Sequence, residues 1–326
     1  MSKTQGVLER LISGDRTALA RAITWAESGD ARFREVLTGA NDRVGRGWRV
    51  GITGPPGAGK STLTNELVNA HREAERTVGV VAVDPSSPFT GGALLGDRIR
   101  MDGRTADEGV FIRSMATRGS HGGIARATVD AVDAMDAFGF DELLIETVGV
   151  GQAEYDVVGA ADTVLVVLCP GAGDGVQALK SGILEVADVL CVNKADLKGA
   201  DRLVADLEEA VELRSSDLHA GWSTPVVACS AGKSEGIEGV LAALATHREW
   251  LEDGRLAEHR ESRRLAQVRR AVTEAVDLEL WEEAGWRARA THLLGMGEPH
   301  YDVVAGLIEE LRALAREASG GGTTES

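Results

Sequence analysis

Apolar residues follow two patterns along this chain. Short, nearly continuous apolar runs recur between residues 49 and 229, and helical spacings of three and four residues separate them. Such runs are typical of parallel strands with both faces buried, and their alternation with helices is typical of an α/β fold. We therefore expect a doubly wound, mostly parallel sheet. Its strands are predicted at residues 49–53, 78–83, 111–113, 142–145, 163–169, 189–192 and 226–229.

Both ends of the chain carry helical spacings without such runs. Leu8 and Leu11 begin a series of short helical patterns near the N-terminus, and turn residues separate them. After Gly232 helices are expected at 237–250, 255–281 and 301–316, with Leu265, Val268, Val272 and Val276 as an apolar stripe on the second. We expect four parts along the chain. They are an N-terminal helical extension (1–45), a central α/β domain (46–250), a C-terminal helical region (251–318) and a disordered tail (319–326).

The composition is that of a globular protein, with 326 residues, of which 43% are hydrophobic and 26% charged. Acidic residues outnumber basic ones by 51 to 35, which gives a formal charge of −16. This balance opposes binding to nucleic acid or to an anionic membrane. The three cysteines form no C-x-x-C pair and suit a reducing compartment. No stretch approaches the ~18 apolar residues of a membrane span, so we expect a cytoplasmic protein.

Residues 54–61, Gly-Pro-Pro-Gly-Ala-Gly-Lys-Ser, fit the phosphate-binding pattern G-x-x-x-x-G-K-[ST]. A strand is predicted before this segment and a helix after it, as the pattern requires. In such a loop backbone N–H groups point at phosphates, the lysine reaches the β and γ phosphates, and the serine hydroxyl ligates Mg²⁺. The alternative is an ordinary glycine-rich turn. The residues expected to bind nucleotide here are Gly54, Pro56, Gly57, Ala58, Gly59, Lys60, Ser61 and Thr62.

Residues 193–196, Asn-Lys-Ala-Asp, follow a later predicted strand. The Asp196 carboxylate could accept hydrogen bonds from guanine N1–H and N2–H₂, a pair of donors that adenine lacks. We expect Asn193 to contact the opposite edge of the base and the Lys194 stem to cover its face. The alternative is a helix N-cap at Asn193 or Asp196. The motif favours GTP over ATP, and the residues after the next strand, Ser230 and Ala231, are expected to offer backbone N–H groups to the guanine oxygen.

Two acidic segments follow the second and fourth predicted strands. Residues 84–101 combine Pro, Ser and Gly with two carboxylates, Asp84 and Asp97, and carboxylate oxygens are ligands that Mg²⁺ prefers. Glu146 begins a segment where P-loop NTPases carry an acidic residue for Mg²⁺ or water, and Gly149 stands where a glycine can sense the γ-phosphate. The alternatives are a solvated loop and a glycine-containing turn.

Val150 stands where Ras-like GTPases place a water-orienting glutamine, so we expect slow intrinsic hydrolysis. Gln152 is the alternative for that role. The Pro, Ser and Gly content of residues 84–101 predicts a mobile, switch-like loop, and the glycine-rich polar loop at residues 171–177 is either a further moving segment or a long turn.

Together these motifs resemble the MeaB/ArgK-type GTPases, the methylmalonyl-CoA mutase-associated G-proteins. The matching segments are 54–62 (G-x-P-G-x-G-K-S-T), 84–101 (D-P-S-S-x-x-T-G-G-x-x-L-G-D-x-x-R-M), 146–152 (E-T-V-G-V-G-Q), 170–177 (P-G-x-G-D-x-x-Q) and 193–196 (N-K-A-D). The resemblance implies a homodimeric GTPase that acts as a chaperone for an adenosylcobalamin-dependent acyl-CoA mutase. It would gate cofactor loading and protect or reactivate the mutase through switch loops, one of which matches residues 171–180. Dimerisation through the C-terminal helices would suit the apolar stripe after Arg255.

The resemblance also implies roles for individual residues. Lys60 and Ser61 would bind phosphate and Mg²⁺. Asp84 and Asp97 would belong to the metal site, and Glu146 would support the metal or the attacking water. The implied catalytic residues are therefore Lys60, Glu146 and Asp84, and the implied ligands are GTP or GDP with Mg²⁺.

The chain departs from the family pattern at four positions. Ala93, Leu94 and Arg98 replace the usual Ser, Ile and Lys, and Gly175 stands where an acidic residue is common. Because no D-x-H-x-x-G cobalamin motif is present, the cofactor is expected on the partner. Two other function classes stay open. A GTP-dependent metallochaperone would normally show a clustered Cys/His site, and a P-loop kinase gives no reason for the motif at 193–196.

Overall fold

The computed structural model describes residues 3–84, 107–116, 123–147, 159–171, 183–213 and 221–320. Seven strands within these ranges form one parallel sheet in the order β3-β2-β4-β1-β5-β6-β7. The prediction of a doubly wound α/β fold is thereby confirmed. The strands are β1 (Trp48–Thr53), β2 (Val78–Asp84), β3 (Val110–Ala116), β4 (Glu142–Thr147), β5 (Thr163–Leu168), β6 (Val189–Val192) and β7 (Val226–Ala228).

Helices connect the strands and extend the chain at both ends. No described helix is both long enough and apolar enough to cross a membrane. The helices are α1 (Lys3–Ile12), α2 (Arg16–Glu27), α3 (Ala31–Gly39), α4 (Lys60–Glu73), α5 (Gly123–Phe138), α6 (Ala200–Glu212), α7 (Ile237–Glu252), α8 (Leu256–Leu278), α9 (Trp286–Gly295) and α10 (His300–Gly320).

Of the N-terminal helices, α2 and α3 start at side-chain caps, and the group packs against the sheet domain through α5. Asp15 accepts hydrogen bonds from the backbone at the start of α2, and Asp30 does so at the start of α3. Such caps satisfy N–H groups that have no partner within the helix. The buried face of α2, which includes Leu19 and Ile23, joins a hydrophobic core shared with α5. The helical extension is therefore part of the sheet domain's packing.

Two compact units make up the chain, Met1–Arg264 and Leu265–Ser326, and the boundary falls within α8. In the second unit, α9 and α10 bury a small core of their own around Trp286 and Leu307. One continuous helix was expected over 255–281, but α8 ends at Leu278 and a π-helical turn, Glu279–Glu283, follows. The domain boundaries given above remain a prediction.

A set of six charged side chains lies under the amino-terminal edge of the sheet, which is opposite the edge where ligands bind in such folds. We call it the buried charge cluster. Arg49 contacts Asp133 and Asp136 at 2.7 and 2.6 Å. Asp162, directly before β5, contacts Arg260 and Arg263 of α8 at 2.8 and 2.7 Å. Three arginines and three aspartates thus compensate one another. The members are Arg49, Asp133, Asp136, Asp162, Arg260 and Arg263.

Candidate nucleotide-binding site

The phosphate-loop segment joins β1 to the start of α4, as its sequence predicts. Gly54, Gly57 and Gly59 have φ angles of 135°, 78° and 91°, which non-glycine residues adopt only at a cost. A Cβ on Gly54 would overlap the Val167 carbonyl of β5, and one on Gly59 would overlap the Asn193 amide. These two glycines therefore permit both the turn of the loop and its close packing on the neighbouring segments.

Lys60 is the first residue of α4 and is 6% exposed. Its Nζ donates hydrogen bonds to the carbonyl oxygens of Gly54 at 2.6 Å and Pro55 at 3.0 Å. The ammonium group is thus held against the loop by backbone carbonyls. The backbone of Lys60 begins α4, and at a helix N-terminus backbone N–H groups and the helix dipole favour an anion.

Ser61 and Glu146 come from segments far apart in the sequence and meet at the carboxyl edge of the sheet. The Ser61 hydroxyl donates a hydrogen bond to Oε1 of Glu146, a buried residue in β4. The hydroxyl groups of Thr53 and Thr147, the last residues of β1 and β4, lie 3.1 Å apart. A hydroxyl beside a carboxylate is the type of oxygen donor set that Mg²⁺ accepts, so these residues fit the expected ion.

The other predicted metal and switch residues are only partly described. Asp84 is the last residue of β2, a strand that pairs with β4. Asp97, Gly149, Val150 and Gln152 lie outside the described residues, as do most of the segments 84–101 and 171–177.

Asn193 directly connects the predicted base-binding segment to the phosphate loop. Its Nδ2 donates to the carbonyl of Ala58 at 2.9 Å. Its Oδ1 accepts hydrogen bonds from the backbone N–H groups of Lys194 at 2.8 Å and Ala231 at 3.0 Å. The side chain is 2% exposed, and its hydrogen bonds join the phosphate loop, the segment after β6 and the segment after β7. We call these its bracing bonds. Contact with the base, which we expected from the sequence, remains a prediction.

Lys194 adds a second link to the phosphate loop, because its Nζ donates to the Gly57 carbonyl at 2.7 Å. Its backbone has a positive φ of 58°, so the chain turns sharply after β6. Two buried thiols, Cys191 and Cys229, lie beneath this turn with their Sγ atoms 3.4 Å apart. Nothing in their spacing along the chain indicated this contact.

Asp196 lies at the end of the turn, beside the segment that follows β7. Its backbone N–H donates to the Ser230 hydroxyl at 3.1 Å, and its Oδ2 lies 3.0 Å from Nζ of Lys233. The Lys233 ammonium and the Ser230 hydroxyl hold the pKa of the Asp196 carboxyl below its ordinary value. Lys233 was not among the residues predicted from the sequence. The only available signal was a basic residue three positions after Ser230.

These elements bring residues that the sequence predicts to bind phosphate, metal and base to one edge of the sheet. The sequence model described as "Methylmalonyl Co-A mutase-associated GTPase MeaB" matches residues 19–285. The chain belongs to this family. A protein of Pyrococcus abyssi is 49% identical over 269 residues, which cover 82% of this chain and 83% of that protein. GTPase ArgK of Escherichia coli is 34% identical over 280 residues, with 82% and 83% covered.

Other MeaB relatives agree with this assignment. The mouse protein "Methylmalonic aciduria type A homolog, mitochondrial" is 37% identical over 272 residues, which cover 77% of this chain and 65% of the mouse protein. The solved structure of an LAO/AO transport system kinase matches with a TM-score of 0.75 and 25% identity, covering 96% of this chain and 99% of that one. The resemblance to MeaB/ArgK-type GTPases is confirmed. The protein is a P-loop GTPase that binds guanine nucleotide, and it is related to the mutase chaperones.

Proposed function

We propose that this MeaB-family GTPase is a chaperone for an adenosylcobalamin-dependent acyl-CoA mutase of the methylmalonyl-CoA mutase type. GTP binding and hydrolysis would gate cofactor loading and protect or reactivate the mutase. The observation that carries the proposal is the match of residues 19–285 to the mutase-associated GTPases. The mouse relative, whose name refers to methylmalonic aciduria, supports the same partner class.

The residues at the carboxyl edge of the sheet suit GTP hydrolysis. Lys60 would contact the β and γ phosphates, and Ser61 and Glu146 would hold Mg²⁺ together with Asp84 and Asp97. The ion would offset the negative charge that develops on the phosphate oxygens. Glu146 would also orient the attacking water molecule. Asp196 would select guanine through two N–H groups of the base.

We further propose that intrinsic hydrolysis is slow and that the mutase stimulates it, because Val150 lacks a group that can orient water. The C-terminal unit would form a homodimer. Its helix α8 exposes four apolar side chains at helical spacing, Leu265, Val268, Val272 and Val276, and a contiguous exposed apolar patch is typical of an interaction surface.

The partner can be tested by measuring phosphate release from GTP with purified mutases of the methylmalonyl-, ethylmalonyl- and isobutyryl-CoA types. We expect one of them to raise the rate, with GDP and free phosphate as the products. Phosphorylation of an acceptor would indicate a kinase instead. An unchanged rate with all three mutases would contradict the chaperone proposal.

The site can be tested by Lys60→Ala, which should abolish turnover with and without the mutase because the β and γ phosphates lose their cation. Lys198→Ala, at an exposed lysine on the turn before α6, is the matched control and should retain the wild-type rate. Equal rates for the two variants would show that the assignment of Lys60 is wrong.

A further inference from the structure

We propose that Lys233 is a positioning residue for guanine recognition, which fixes the Asp196 carboxylate in the orientation that accepts the two N–H groups of the base. This inference rests on the proposed role of Asp196 in base selection. Lys233 lies outside the segment 193–196, and its part in the site follows from the 3.0 Å distance between its Nζ and Oδ2 of Asp196.

Lys233 lies on a tightly closed turn between β7 and α7. The Ser230 N–H donates to the Glu235 carbonyl at 2.9 Å, and the Lys233 N–H donates to the Ser230 carbonyl at 2.8 Å. Ser234 and Gly236 both have positive φ angles, of 56° and 74°. A Cβ on Gly236 would come within 2.7 Å of the Ala228 carbonyl, so the turn packs directly on the end of β7. The backbone that carries Lys233 is therefore well fixed.

The turn that carries Asp196 is joined to the end of β7 and to the turn that carries Lys233 by two further hydrogen bonds. The Ala195 N–H donates to the Cys229 carbonyl at 2.9 Å, and the Asp196 N–H donates to the Ser230 hydroxyl at 3.1 Å. The backbones on both sides of the Lys233–Asp196 ion pair are thus connected directly. Because the backbones of Lys233 and Asp196 are held together, the ion pair can favour one rotamer of the Asp196 side chain.

The ion pair leaves the carboxylate able to bind a base. A carboxylate can accept about four hydrogen bonds, and Lys233 uses one direction on Oδ2. The remaining positions can accept the N1–H and N2–H₂ donors of guanine. Hypoxanthine has the N1–H group but lacks the exocyclic amine, so it measures the second of these contacts separately.

Lys233 also keeps Asp196 ionised. The Lys233 ammonium is the main cause that lowers the pKa of Asp196, followed by the Ser230 hydroxyl. Asp196 in turn raises the pKa of Lys233, with a smaller contribution from Glu235. The ionised carboxylate is the form that accepts both base donors. Loss of the lysine charge should therefore raise the pH below which protonation of Asp196 weakens GDP binding, which we call the acid limit.

The effect should be moderate, because the Lys233 side chain is 54% exposed. Exposed ion pairs change equilibria by roughly two- to five-fold. We therefore expect Lys233→Met to weaken GDP binding by about two- to five-fold. The separate variant Lys233→Arg should keep the wild-type affinity, because arginine retains the charge.

The experiment measures dissociation constants of GDP and inosine diphosphate for the full chain by calorimetry between about pH 3.5 and pH 8, because the pKa of Asp196 lies below its ordinary value of 3.8. Lys233→Met should lower the preference for GDP over inosine diphosphate and move the acid limit upward. Lys233→Arg and the control Lys198→Met should match the wild type. Equal weakening of both nucleotides without a pH shift would overturn the proposal, as would an unchanged preference.

An Asp196→Asn arm separates this inference from the proposed function. Loss of guanine preference in Asp196→Asn, together with the expected Lys233→Met result, supports both. Loss in Asp196→Asn with a wild-type profile for Lys233→Met overturns only the role of Lys233. Retention of guanine preference in Asp196→Asn overturns the base site, and the role of Lys233 with it.

Discussion

Replacement of Asp162 by asparagine tests the carboxylate of the buried charge cluster that accepts hydrogen bonds from all three arginines. Asp162 is fully buried and accepts hydrogen bonds from Arg260 at 2.9 and 2.8 Å, from Arg263 at 2.7 Å and from the Arg49 N–H at 3.1 Å. Asparagine keeps the shape of the side chain but removes its charge. The substitution therefore leaves three arginines, of which Arg49 and Arg263 are buried and Arg260 is half-buried, with two aspartates.

The expected cost follows from what the arginines lose. Removal of one partner from a buried ion pair destabilises a protein by about 3–5 kcal/mol, mainly because the remaining charge has no compensation. The asparagine amide would also bring N–H donors towards the guanidinium groups, which carry only donors. We expect a loss of about 3–5 kcal/mol in the free energy of unfolding at pH 7, compared with about 5–15 kcal/mol for whole domains.

The loss should depend on pH in a definite direction. Burial acts to raise the pKa of Asp162, but Arg260, Arg263 and Arg49 outweigh this effect and hold it below the ordinary value of 3.8. The stabilisation is therefore complete above the unfolded-state pKa and is lost as the pH falls through the lower folded-state pKa. The difference between wild type and variant should persist at pH 7 and narrow below about pH 4.

Urea unfolding followed by tryptophan fluorescence provides the measurement, since the ring of Trp48 is buried and lies 5.7 Å from the guanidinium carbon of Arg260. Asp206→Asn is the matched control. Its carboxylate is 47% exposed and lies 3.9 Å from Arg202, so its loss should cost less than about 0.5 kcal/mol. If Asp162→Asn were no more destabilising than Asp206→Asn, the account of the cluster as a compensated buried unit would be refuted.

Three further predictions concern single positions. Gly54→Ala should abolish GDP binding, because its Cβ would overlap the Val167 carbonyl. Gly57→Ala has open space around its Cβ, so it should cost only the backbone strain of about 1–2 kcal/mol in thermal unfolding. Equal losses of stability and of GDP binding in the two variants would contradict this packing argument. Asn193→Ala should lower stability by about 2–4 kcal/mol in urea and weaken GDP, and an unchanged unfolding midpoint would show that its bracing bonds are unimportant. Burial, helped by nearby arginine charges, lowers the pKa of His71 to about 4, so the wild type should lose about 2 kcal/mol between pH 8 and pH 5 as the unfolded state takes up the proton. His71→Gln should remove that part of the pH dependence of the melting temperature, and an unchanged slope would contradict the assignment.

The sequence predicted the sheet well because buried parallel strands leave continuous apolar runs. It also predicted that Ser61 and Glu146 would share a site. Ser61 lies just past the loop after β1, and Glu146 lies near the carboxyl end of β4, and these strand ends meet at one edge of the sheet. The phosphate-loop pattern is local, so its glycine conformations could be anticipated from the residues themselves.

Other features depend on contacts between distant segments and had no local signal. Lys233 acts on Asp196 only because the turn after β7 closes tightly, and no pattern of spacing encodes that closure. Periodicity on α8 identified Val268 and its neighbours as one face but could not show that this face is 43–69% exposed while Arg263 is buried. The buried state of Arg263 depends on Asp162, which precedes it by about a hundred residues.

The buried charge cluster also restricts how this chain can vary. Its six members come from β1, α5, α8 and the residue before β5, and their charges sum to zero. A single substitution leaves a charge in the interior without compensation, whereas replacement of a whole ion pair by apolar residues of similar volume can be neutral or even stabilising. In the evolution of this family the six positions should therefore be retained or exchanged in pairs. A homologue that lacks Asp162 is expected to lack Arg260 or Arg263 as well.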